Sequence, residues 1–123
     1  MSSNKESFLS SRIKSVKYAS KGFFLLLNSE SSIQVQAFIA VVMTILGIAC
    51  NISGTEWMLQ LLAIGLVMGL EGVNTAIEKL SDFVQPSHDD KIGFIKDVSA
   101  GAVFIASIAA VGIGLFIYIP RLI

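Results

Sequence analysis

Apolar and polar positions alternate along this chain in long blocks. Three blocks are long and apolar enough to be helices that cross a bilayer. The first runs over residues 33–52, and its heart, residues 37–50, carries no charge. The second begins near Glu56–Trp57, is uncharged through Leu70, and by pattern continues as one helix to residue 84, reaching past the bilayer into water. The third, residues 98–119, has no charged side chain and is long enough to cross roughly 30 Å of hydrocarbon. Between the first two, Asn51-Ile52-Ser53-Gly54-Thr55 reads as a tight turn. Pro86 ends the second helix, and residues 85–93 read as a polar loop containing His88, Asp89, Asp90 and Lys91.

The N-terminal part has a different period. Residues 1–10 are polar and expected to fray. Over 11–27, Ile13, Val16, Tyr18, Phe23 and Phe24 mix with Lys14, Lys17 and Lys21, which suits an amphipathic helix lying in the membrane interface. Residues 28–32 break that helix, with Ser31 or Ser32 as N-cap of the next. The expected fold class is thus all-α and integral to the membrane: one domain over 1–123, with three transmembrane helices (33–52, 57–84, 98–119) and a surface helix at 11–27.

Composition agrees with the blocks. Of 123 residues, 54% are apolar, more than a soluble domain of this size hides from water. The N-terminus lacks the apolar run and small-residue cleavage site of a signal peptide. Net charge is zero, yet five of nine basic residues precede residue 22 (Lys5, Arg12, Lys14, Lys17 and Lys21), and Lys79, Lys91 and Lys96 are expected in one loop. By the positive-inside rule the N-terminal segment and the 79–96 region are cytoplasmic, while the 51–55 turn and the C-terminus lie outside. The basic residues form no continuous stripe for nucleic acid. Cys50 is the single cysteine and His88 the single histidine, so a closed zinc site is not available, and there is no Walker A, GxGxxG or HExxH run.

Small residues recur at a spacing of four, Gly65 and Gly69 on the second span and Ala102, Ala106, Ala110 and Gly114 on the third. They are read as helix-packing surfaces within or between subunits. Ser and Thr in the spans are expected to bond to helix backbone.

Chemistry concentrates where the second helix turns polar. Glu71 interrupts the apolar run, and Asn74 and Glu78 follow at i+3 and i+7, on one face at 100° per residue, with Asp82 a further turn along. A bare carboxylate at that depth costs several kcal/mol unless a proton, ion or partner compensates. Hydrated interfacial acids would be the plain reading. The alternative is a site: Glu30 and Glu78 as hard oxygen ligands for Mg²⁺, Glu71 as a base, and Lys14, Lys17, Lys21, Lys91 and Lys96 for phosphate. His88 reads either as a solvated loop residue or as a nucleotide contact. A transporter or proton-conducting ring built on Glu71 would explain the one buried acid, but not the gathering of Asn74, Glu78, Lys96 and Asp97. A non-enzymatic assembly factor would leave all of them dispensable.

The run Glu71-Gly72-Val73-Asn74-Thr75-Ala76-Ile77-Glu78, followed by Lys96-Asp97-Val98-Ser99-Ala100-Gly101, resembles the signature of the prokaryotic diacylglycerol kinase family, which includes undecaprenol kinases. Arg12-Ile13-Lys14, Tyr18, Lys21-Gly22-Phe23 and Glu30 extend the resemblance over about residues 11–120. It implies a homotrimer in the bacterial cytoplasmic (inner) membrane, with active sites shared between subunits. The reaction it implies is transfer of the ATP γ-phosphate to a membrane-lipid hydroxyl with Mg²⁺. It implies Glu71 as catalytic base, Glu30 and Glu78 as metal ligands, and Asn74, Lys96 and Asp97 around the nucleotide phosphates. Tyr18, His88 and Lys14 match nucleotide-contact positions, and Lys21, with Glu71, the lipid side. The stretch after Glu30, Ser31-Ser32-Ile33-Gln34-Val35-Gln36, is less basic than is common in the family. The acceptor is diacylglycerol or undecaprenol; Asn74-Thr75-Ala76 and residues 98–103 lean toward the undecaprenol branch.

Overall fold

The computed structural model describes residues 3–123, with side chains from Ser7 onward; Lys5, counted above among the basic residues, has its side chain outside the described set. The chain forms four helices: α1 (Ser3–Ser29), α2 (Ser31–Cys50), α3 (Gly54–Val84) and α4 (Asp90–Leu122). The last three are each long and apolar enough to cross a membrane. At 1.5 Å per residue, α3 spans roughly 46 Å and α4 roughly 50 Å, well beyond the hydrocarbon thickness. Both therefore carry a polar end past it.

Several boundaries differ from the sequence expectation. Helix extends back to Ser3 instead of fraying to residue 10; in that stretch the Arg12 guanidinium lies 5.8 Å from the centre of the Phe8 ring, an i,i+4 pair that favours helix. The break between α1 and α2 is one residue wide. Glu30, neither Ser31 nor Ser32, occupies the N-cap position, with extended backbone (φ −115°, ψ 116°) and no side-chain cap. The helices connect so tightly that the Glu30 N–H donates to Leu26 O and the Glu30 carbonyl accepts from Gln34 N, each at 3.1 Å. The Gln34 amide reaches back to Leu27 O at 2.9 Å, satisfying a terminal carbonyl of α1.

The turn between α2 and α3 falls at Asn51 as expected but is shorter than 51–55: α2 runs Ser31–Cys50 instead of 33–52, and Gly54 and Thr55 are already helical. Asn51 takes the left-handed conformation (φ 52°, ψ 52°), which asparagine tolerates better than most residues. Ser53 and Glu56 form a capping box, Ser53 Oγ accepting from Glu56 N at 3.2 Å and Glu56 Oε1 from Ser53 N at 2.9 Å. The helix thus starts at Gly54, two residues before the expected Glu56. Ile52 is buried against Ile117 and Tyr118, with Trp57, Met43 and Cys50 around it.

Two further corrections concern α4. It starts at Asp90, not 98, because Asp89 Oδ1 accepts from Lys91 N (2.8 Å) and Ile92 N (3.3 Å) and so caps it. Lys91, Lys96 and Asp97 are therefore helical, and Lys79 lies on α3, so none of the three lysines is in the loop. At the other end α4 runs through Pro120 to Leu122 rather than ending at 119; in the final turn the missing proline N–H forfeits a single helical bond.

α3 and α4 pack as an antiparallel pair, α2 packs on α3, and α1 on α2. Polar contacts sit at both ends of the α3–α4 seam. At one end Arg121 grips Glu56 with two hydrogen bonds (2.7 and 2.8 Å). Tyr118 OH then donates to Gln60 Oε1 at 2.6 Å, and Gln60 Nε2 donates to Met43 O on α2 at 3.0 Å. Asn74 with Ser99 and Asp82 with Lys96 complete the seam at the polar end. The small-residue rows are only partly used within one chain: Ala106 is buried, but Cβ atoms added at Gly65 or Gly69 would meet nothing within 4 Å.

At Gly47 the Trp57 side chain of α3 packs directly onto the backbone of α2. A Cβ there would lie 2.7 Å from Trp57 Cη2, 3.0 Å from Cζ2 and 3.1 Å from Ile52 Cδ1. Gly47→Ala should lower stability by about 1–3 kcal/mol, the usual range for overpacking. A melting curve of the purified protein checks this, and an unchanged midpoint would mean that the indole moves aside freely.

Candidate active site at the polar end of the bundle

Glu71, Asn74 and Glu78 face inward together, each partly buried on α3. The stripe read from the spacing is therefore real in the fold. Glu71 has no hydrogen-bond or ion-pair partner among the described residues, which leaves its carboxylate open for an incoming group. Its neighbour Gly72 allows α1 to close in: a Cβ there would stand 3.1 Å from Leu26 Cδ1. Glycine at this point of the motif brings the end of α1 against α3 beside the free acid.

One turn further, Ser99 Oγ donates to Asn74 Oδ1 at 2.7 Å, and Asn74 Nδ2 donates to Glu78 Oε1 at 3.4 Å. Glu30, free of any capping role, lies 3.7 Å from Lys79 Nζ, so it reaches the α3 segment that bears Glu78. Lys96 Nζ pairs with Asp82 Oδ1 at 2.5 Å. The acids and Lys96 thus collect at one end of the molecule. Both ion pairs include strongly exposed partners and contribute little to stability.

Other predicted residues stand apart within a single chain. Lys14 and Tyr18 line a shallow recess on α1 with Ser10, Ser11 and Ser15, and make no hydrogen bond or ion pair to the α3 acids. Lys17, Lys21, Lys91 and Asp97 are exposed. His88 is fully open to solvent, with Asp90 3.5 Å away, in keeping with the solvated-loop reading at the level of one chain. Among the described residues no three His, Cys, Asp or Glu side chains converge as a metal cage.

Sequence reasoning missed three features. Ser99 was expected to bond to its own helix, as Thr44 does to Ala40 O at 2.8 Å, but it crosses to α3 instead. Lys79 and Asp82 were not foreseen as partners of Glu30 and Lys96. A serine one turn beyond Lys96 in an otherwise apolar run was the available signal for the first; the two ion pairs depend on helix register alone.

The fold and site define a three-span membrane protein with its acidic, amide and lysine groups gathered at one end. A family model for prokaryotic diacylglycerol kinase matches residues 17–118. The chain is 35% identical over 109 residues to the undecaprenol kinase of Bacillus subtilis (strain 168), covering 89% of each chain. It is 29% identical over 94 residues to the diacylglycerol kinase of Haemophilus influenzae, covering 76% of this chain and 80% of that one. The chain belongs to the prokaryotic diacylglycerol kinase family and is a lipid kinase.

Proposed function

We propose that the protein transfers the γ-phosphoryl group of ATP to the terminal hydroxyl of undecaprenol, giving undecaprenyl phosphate, with Glu71 as the base. The observation that carries this reading is the unpartnered Glu71 carboxylate one turn from the Asn74–Glu78 pair, at the junction of apolar and polar α3. A lipid alcohol arriving laterally through the bilayer meets that junction at headgroup depth. Glu71 accepts the hydroxyl proton as the lipid oxygen bonds to the γ-phosphorus and the bond to the departing ADP breaks. Phosphoryl transfer asks a protein chiefly for positioning and charge neutralisation, which a domain this small can supply.

The donor set suits Mg²⁺, which takes one or two carboxylates and fills its remaining positions with phosphate oxygens and water. Glu78, and Glu30 beside the same α3 segment, would hold it, and it would neutralise phosphate charge. Asn74, Lys96 and Asp97 line the nucleotide phosphates in this reading; Lys14, Tyr18 and His88 serve the nucleotide and Lys21 the lipid headgroup region. The separation of α1's residues from the α3 acids within one chain favours a site completed by a neighbouring subunit, and the family resemblance implies that the assembly is a homotrimer. The unused faces of Gly65 and Gly69 offer it packing surface. The basic α1 and the α3–α4 connection would lie on the cytoplasmic side of the bacterial inner membrane, α1 along its surface, with the C-terminus outside.

The choice of undecaprenol rests on the greater identity and coverage of the match to the undecaprenol kinase. Purified protein in lipid, given Mg-ATP with undecaprenol or diacylglycerol in parallel, should phosphorylate undecaprenol with at least about tenfold higher kcat/KM. Equal or faster phosphorylation of diacylglycerol would reverse the acceptor assignment.

A further inference from the structure

The hydrogen bonds around Asn74 have a direction that chemistry dictates. An ionised Glu78 carboxylate can only accept, so the Asn74 atom facing it is the donor Nδ2. Oδ1 then faces α4, and Ser99 Oγ, 2.7 Å away, must donate to it. Ser99 is 9% exposed and sits on a different helix from the two residues it serves. Its hydroxyl passes over the i−4 carbonyl, to which Ser15, Ser29 and Thr44 all donate.

The geometry points to Ser99 as a positioning residue for the metal–nucleotide site: through the Asn74 amide it holds the Glu78 carboxylate in the orientation that receives the cation. This rests on the reading of Glu78 as a metal ligand given above. Glu78 selects which way the amide faces, and the short Ser99 bond to Oδ1 fixes where the amide sits, so that Nδ2 stays against Glu78. Without that hydroxyl the amide keeps only its 3.4 Å contact to Glu78, is free to swing away, and no longer steers the carboxylate. Partners in this outer position set the direction and basicity of a ligand, and losing them typically weakens metal binding by about 10–100-fold.

The test measures binding without turnover. Mn²⁺ is titrated into the lipid-reconstituted protein with a non-hydrolysable ATP analogue, and free Mn²⁺ is read by electron paramagnetic resonance. Ser99→Ala should raise the Mn²⁺ Kd roughly tenfold, and Ser99→Thr, which keeps the hydroxyl, should restore most of it. In an Asn74→Ala background, Ser99→Ala should add nothing, since its route to Glu78 is already cut. A wild-type Kd in Ser99→Ala, an undiminished loss in the Asn74→Ala background, or a Ser99→Thr as weak as Ser99→Ala would overturn the assignment in favour of plain helix packing. Glu78→Gln in the same titration separates the two layers. If it binds Mn²⁺ normally, the ligand reading falls and takes this inference with it; if it weakens binding while Ser99→Ala does not, only the role of Ser99 is lost.

Discussion

Glu71→Gln should leave a folded protein whose turnover with Mg-ATP and lipid drops by roughly 10²–10⁴, the range attributed to a positioned general base. The substitution is close to isosteric and removes only the charge and the proton-accepting oxygen. Because the Glu71 carboxylate has no internal partner among the described residues, no hydrogen bond or ion pair is broken. The change also replaces a charged group, costly at that depth, with a neutral one. Stability should hold or rise while kcat falls, and KM for ATP should change little, since the loss is confined to the transition state. Steady-state kinetics together with a melting curve check this. Near-normal turnover would remove Glu71 from the base role, and a collapse of the melting transition would make it a structural acid instead.

The second large effect concerns the metal. Glu78→Gln should raise the Mg²⁺ concentration for half-maximal activity by at least roughly tenfold, and Glu30→Gln should act in the same direction. At position 78 an amide supplies one oxygen without charge, and its own NH₂ competes with the Asn74 Nδ2 that the carboxylate now accepts from. At position 30 the change also removes the contact with Lys79, but that pair is 3.7 Å long and its lysine is exposed, so stability should scarcely register it. The metal effect is therefore separable from folding. A Mg²⁺ titration of lipid phosphorylation at saturating ATP decides the matter, and an unaltered requirement in both variants would end the ligand assignment.

Much of this site was legible in the chain itself. The inward stripe of Glu71, Asn74 and Glu78 follows from a period of 3.6 laid over an apolar run that turns polar, and α3 carries it as read. Pro86 stops α3 as expected, since the residue before a proline is driven from helical geometry and Gln85 is extended (φ −144°, ψ 95°). The start of α4 was misplaced because hydropathy marks where a helix is greasy, whereas Asp89 begins it by capping two backbone N–H groups while the segment is still polar. Glu30 stands out in the sequence as an acid before an apolar run, yet its freedom from capping appears only once the one-residue joint between α1 and α2 is seen.

Sequence alone determined the three apolar spans, the turn at Asn51, and which side chains share a face of α3, because each of these is a local property of backbone period and solvent. Only the tertiary structure decided that Ser99 serves Asn74, that Asp82 holds Lys96, and that Gly47 lies under Trp57. Those pairings depend on the register of helices whose contacting residues stand 25, 14 and 10 positions apart in the chain. Register is set by how side chains of two surfaces fit together, and no periodicity within one helix encodes it.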